Sequence, residues 1–313
     1  MSQFVRKIAN FVDYVPRRIY NSALYALNKK DIDTLHRTIQ SIDINSSEYC
    51  AGMAEFADVF LRKKDVLCNF EAPTLKKIAD SDLPVIYVMN HNAQGKDPAL
   101  MLLYNALLNI KYLELGKSAT APRPKILMNQ NIIKSQSAKM REIYERNGAT
   151  GLDIFSEKAN NSAAILSIIK GYLSGKSNVF IFPEGRNGIR RDLPFEERFQ
   201  DGVSSIIKMI TSRGKTAKVV PLGFDYGKDS SILGSIYIGE PIYFKQSGGR
   251  LLTNSANTSS EYASSGLKES FKGKFIKEVH GIKEISSHII ENMKICITEA
   301  NKRLLSPDNI SLD

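Results

Sequence analysis

LPVIYVMNHNAQGKDPAL, residues 83–100, is the stretch on which the fold turns. It begins with a short, unbroken apolar run. Such a run, closed off by a polar loop, is the pattern of a strand buried on both faces. Asn90 and His91 stand where that strand ends. Asp97-Pro98 then opens a second apolar segment, expected to be a helix over 98–110. A histidine at a strand mouth with an aspartate in the same loop is a candidate catalytic pair, because a carboxylate fixes the imidazole tautomer and raises its basicity. Two ordinary loop residues would give the same letters, so the reading needs support from elsewhere in the chain.

Outward from this stretch the same alternation continues. Short apolar runs at 124–129, 151–155, 178–182, 217–225 and 235–242 are expected strands. Amphipathic segments at 135–147, 160–173 and 199–212 are expected helices, the first ended by Asn147-Gly148. A final helix over about 281–304 carries Ile282, Ile285, Ile289, Ile290, Met293 and Ile297 on one side. Continuous runs alternating with helices imply an α/β protein whose mixed sheet is covered by helices on both faces.

Residues 1–75 read as a helical N-terminal region. Phe4, Ile8, Phe11, Val12, Val15 and Ile19 share one helical face, broken at Pro16. In residues 1–30 the basic residues Arg6, Lys7, Arg17, Arg18, Lys29 and Lys30 stand against the single acid Asp13. This basic amphipathic stretch fits two readings: an anchor lying on an anionic membrane surface, or a face packed on the main domain. A helix over 45–63 follows, with Asn45 and Glu48 spaced as a capping box. Residues 76–245 form the expected α/β domain. The Ser-, Asn- and Gly-rich start of 246–280 reads as a flexible insertion, and 281–313 as a C-terminal helix packing on the domain.

The 313 residues carry 43 Lys and Arg against 33 Asp and Glu, a net charge of +10. A basic balance suits acidic partners: an anionic membrane, an acidic carrier or a phosphorylated substrate. Nucleic acid is not expected, since no finger, aromatic RNA-binding strand or base-reading helix is present. No apolar run reaches the about 18–20 residues that cross a bilayer, and no secretory signal is read. Cys50, Cys68 and Cys296 are too few and too scattered for a disulfide or zinc framework, which fits a reducing compartment. No bound metal is expected.

A second constellation is NVFIFPEGRNG, residues 178–188. A strand runs into Pro183-Glu184-Gly185-Arg186. Proline and glycine shape a tight turn, and arginine at a strand mouth suits bidentate contact with phosphate. A surface ion pair in a turn is the plainer alternative.

Taken together, NHNAQGKDPAL, FPEGRNG and VVPLGF resemble, in order and near spacing, the motifs of the glycerolipid acyltransferases. That family includes the glycerol-3-phosphate and the 1-acylglycerol-3-phosphate acyltransferases. The resemblance covers roughly residues 80–245, and LPF (193–195), Gly202 and IGEPI (238–242) add to it. It implies an O-acyltransferase of the acyltransferase fold. His91 would be the general base and Asp97 its orienting partner. Asn90, Glu184, Gly185, Arg186, Lys158 and Arg190 would serve the acceptor and its phosphate. Val220 and Pro221 would belong to the strand lining the acyl pocket. No cofactor is implied beyond the acyl donor, acyl-CoA or acyl carrier protein. The acceptor would be glycerol-3-phosphate, 1-acylglycerol-3-phosphate or another lysolipid, and the location cytoplasmic, peripheral at the inner membrane face.

The chain departs from the family pattern in three places. Five residues, Asn92–Lys96, separate His91 from Asp97 where the family has four. The third motif reads FPEG-RNG rather than FPEG-TRS, which leaves Arg190 or Arg191 as substitutes for Arg186. The second motif, GLDIFSEK, places Lys158 near the family's arginine. These departures keep open a rival reading, a lipid- or carrier-binding member of the same fold without catalysis. Other enzyme classes lack their signatures: there is no GxSxG nucleophile elbow and no GxGxxG dinucleotide loop.

Overall fold

A computed structural model describes residues 33, 65–68, 78, 83–91, 123–146, 148–152, 158–185, 193–226, 232–254 and 277–305. The chain divides into two compact units that are not contiguous in sequence: Met1–Lys64 with Gln94–Lys170, and Asp65–Ala93 with Gly171–Asp313. This division differs from the linear boundaries read above. The expected helices over 1–30, 45–63 and 98–110 lie outside the described residues.

In the first unit, β3 (Arg123–Asn129) pairs in parallel with β4 (Ala149–Leu152), Ile126 opposite Ala149 and Asn129 opposite Leu152. The connection holds α1 (Gln130–Lys134) and α2 (Ala138–Arg146). One helix was expected over 135–147. It starts three residues later, at Ala138, where the Ser137 hydroxyl accepts the Met140 N–H at 3.3 Å and caps α2, and the short α1 precedes it. Next comes α3 (Lys158–Leu173).

The second unit is built on a mixed sheet. Its strands are β1 (Asp65–Cys68), β2 (Val85–Met89), β5 (Ser177–Ile181), β6 (Ala217–Tyr226), β7 (Ile232–Ile238), β8 (Ile242–Ser247), β9 (Arg250–Thr253) and β10 (Lys277–Val279). Strand β2 lies between β5 and β6, parallel to both. Every residue of β2 and of β5 is buried, as unbroken apolar runs in a parallel sheet require. The Asn178 side chain accepts the Val85 N–H at 2.8 Å and so joins the starts of these strands.

The expected single strand over 235–242 is two strands, both antiparallel to β6. Leu222 pairs with Ile238 and Val219 with Ile242, so Gly239–Pro241 stand opposite Val220–Pro221, a β-bulge. The cause is visible in β6. Pro221 has no N–H to give on that side, while its carbonyl accepts the Gly239 N–H at 2.9 Å. Beyond the bulge, β7 pairs in parallel with β1, and β8 pairs with β9.

Within the expected flexible insertion, the described residues form strands. Strands β8 and β9 form a hairpin through Gly248 and Gly249, whose φ values of 57° and 79° are those of the two-residue turn that matches strand twist. Strand β10 then pairs antiparallel with β9. Residues 255–276 lie outside the described residues.

Helix α6 (Ile282–Leu305) covers one face of β6 and β7. Ile285, Ile289, Met293, Cys296 and Ala300 are at most 2% exposed. Full burial of each of the larger side chains contributes roughly 1.5–3 kcal/mol. The contact is close: a Cβ on Gly223 would fall 2.0 Å from the Cys296 carbonyl carbon. On the opposite face the Lys218 ammonium, wholly buried, donates to the Ile78 carbonyl at 2.6 Å. Both faces of β6 are therefore closed to water. Among the described residues no helix is long and apolar enough to cross a membrane.

Candidate active site

Because β2, β5 and β6 run in parallel, their carboxyl ends open at one edge, the usual place for ligands on an α/β sheet. Val88 is in register with Ile181. Three residues past each, His91 and Glu184 meet: the His91 backbone N–H donates to Glu184 Oε1 at 2.7 Å. The imidazole packs against Phe182, ring centroids 5.0 Å apart, and the residue is half-buried.

Asn90 holds the turn just before it. Its Nδ2 donates to the Phe224 carbonyl and its Oδ1 accepts the Phe224 N–H, both at 2.7 Å. The carboxamide imitates one more residue of β2 and fastens it to β6. Where the resemblance sets Asn90 among the acceptor-binding residues, both halves of its amide are engaged with backbone.

Glu184 is wholly buried. A lone carboxylate there would be costly to keep ionised. Its second oxygen is paired with Nη1 of Arg198, and the same nitrogen faces the His91 carbonyl at 3.5 Å. Arg198 closes the short α4 (Phe195–Arg198), and α5 (Gly202–Thr211) follows. A single helix was expected over 199–212. It starts three residues later, at Gly202, and a break separates it from α4: Phe199 turns extended and the Gln200 N–H donates to the Pro183 carbonyl at 2.9 Å. That break seats Arg198 beside the Pro183–Gly185 turn. Gly185, at φ 50°, ends the turn with its N–H on the Phe182 carbonyl at 3.2 Å.

Sequence reasoning missed Arg198. The available signal was a buried glutamate, which requires a cation, but several arginines follow it. Asp97, Arg186 and Arg190 lie outside the described residues. Lys158 is the first residue of α3. Val220 and Pro221 are neighbours on β6 and both buried, Val220 on the face of Lys218 and Pro221 on the face of α6, where its ring adjoins Gly239. Among the described residues no group of three or more His, Cys, Asp or Glu side chains is arranged to hold a metal ion.

No family model matches the chain, and no curated protein matches it. Among solved structures it is similar to the 1-acyl-sn-glycerophosphate (LPA) acyltransferase, PlsC, from Thermotoga maritima. The TM-score is 0.47 at 13% identity, over 94% of this chain and 98% of that one. That is a loose likeness of backbone course.

Proposed function

We propose that the protein is an O-acyltransferase that moves a fatty acyl group from a thioester to the hydroxyl of a glycerol-phosphate type acceptor. One observation carries the reading: the Asn90-His91 and Pro183-Glu184-Gly185 motifs, 93 residues apart, join through the His91 N–H and Glu184 at the open ends of two adjacent parallel strands. Two motifs of one family meeting at one sheet edge are a more specific signal than either alone.

In this reading His91 takes the proton of the acceptor hydroxyl as its oxygen attacks the thioester carbonyl. The tetrahedral adduct collapses, the carbon–sulfur bond breaks, and the leaving thiolate takes the proton back from the imidazolium. Asp97 orients the ring. Arg186, Arg190 and Lys158 are the cations proposed for the acceptor phosphate, and the strand of Val220 and Pro221 the proposed border of the acyl chain. Acyl-CoA or acyl carrier protein is the proposed donor. Peripheral contact with an anionic membrane at the cytoplasmic face, through the basic N-terminal stretch, is proposed with it.

The test is thiol release by the purified protein, offered each donor with glycerol-3-phosphate or 1-acylglycerol-3-phosphate. Acceptor-dependent release is expected, and His91→Ala should lower it by about 100-fold or more. The five-residue spacing from His91 to Asp97 favours one other reading, a lipid- or carrier-binding protein of the same fold. Saturable binding of an acyl thioester with no release to any glycerol-phosphate or lysolipid acceptor would decide for it.

A further inference from the structure

We infer that Arg198 is a positioning residue for His91, acting through Glu184 and the backbone on both sides of the His91 Cα. The inference rests on the reading of His91 as the base. Where the Cα–Cβ bond of residue 91 points is set by its own N–H and C=O groups. Glu184 holds the N–H at 2.7 Å, and Arg198 faces the C=O at 3.5 Å while pairing with Glu184. One carboxylate and one guanidinium thus bracket the histidine through its backbone.

Arg198 is itself fixed. Its guanidinium carbon lies 5.9 Å from the centroid of the Phe195 ring in the same helical turn, and Phe195 packs edge-on against Phe199. The Gln200 N–H ties the far side of the turn to Pro183. The Arg198 side chain is 12% exposed, and its Nε is buried with no hydrogen-bond partner among the described residues. A surface pair would leave that nitrogen in water. Here its desolvation accompanies a geometry in which one terminal nitrogen serves both Glu184 and His91. Lysine can replace the charge but not the planar fork that fixes its direction.

A purely structural ion pair would affect stability alone, whereas a positioning pair changes the imidazole. The chain has four histidines, His36, His91, His280 and His288, so nitrogen-15 spectra of the imidazoles separate the two roles, with His91 identified by its loss in His91→Gln. Arg198→Met is expected to move the His91 resonances, leaving the other three in place, and Arg198→Lys to fall between. In the thiol-release assay kcat should drop by about 100-fold, the cost of a misaligned group, with KM little changed. His91 resonances that stay put in folded Arg198→Met overturn the inference, as does a common shift of all four histidines. Should Arg198→Met not fold, the spectra of Arg198→Lys decide in the same way. Failure of the wild type to release thiol would overturn the proposed reaction, while the spectra would still test the clamp.

Discussion

Asn90 joins two strands with a single side chain, and that makes its chemistry unforgiving. An aspartate at 90 keeps the shape and the acceptor but loses the donor, and sets a carboxylate against the Phe224 carbonyl. Asn90→Asp should destabilise the protein by about 2–3 kcal/mol, read as a lower urea midpoint. Glu184→Ala should cost about 3 kcal/mol, because it strands the Arg198 cation in a largely dry place, and the double replacement Glu184→Gln with Arg198→Met should recover part of the loss. Urea unfolding of these two variants checks this. At this scale His91 and the Pro183–Gly185 turn were legible in the sequence, since each follows an apolar run directly. The partner of Glu184 was not. Arg186, Arg190, Arg191 and Arg198 all follow it closely, and nothing in the sequence singles out Arg198, which the break after α4 seats beside it.

Whole elements were legible wherever their hydrophobic pattern was unbroken, as in β2, β5, β6 and α6. Their interruptions were not, because the cause sits on another element. The bulge at Gly239–Pro241 answers a missing N–H on β6, and the break after Arg198 answers a carbonyl in the Pro183 turn. The Gly248-Gly249 hairpin carried a local signal, two glycines between alternating residues, which was absorbed into a Ser- and Gly-rich reading. The tight seat of α6 yields the prediction at this scale. Gly223→Ala forces a methyl into the Cys296 backbone, so the helix or the strand must shift. The cost should be about 3 kcal/mol, near the top of the range for overpacking, and should appear as a lowered melting temperature. Gly248→Asn, by contrast, should be nearly neutral, since asparagine accepts the same turn conformation.

The stability of the whole molecule should depend on pH through His288. Its Nε2 donates to the Asn254 carbonyl at 3.3 Å, its ring meets Phe244 edge-on, and its Nδ1 is buried with no hydrogen-bond partner among the described residues. Burial lowers its pKa; the charge of Lys277 adds to this, while the Asn254 bond and Glu291 oppose it. The unfolded chain therefore takes up a proton that the folded protein resists. Stability is fully present above the unfolded value of about 6.5, falls as pH drops below it, and levels off beneath the folded pKa. Urea midpoints between about pH 7.5 and 5 should show this fall, and His288→Gln should flatten it.

Cys296 sits at the centre of the α6 contact, with its thiol pushed up to about 12 by burial. At neutral pH it is neither ionised nor reachable, so an alkylating reagent must wait for the helix to lift from the sheet. The cysteine is thus a built-in clock: its labelling rate counts how often the C-terminal helix lets go, independently of any catalytic turnover.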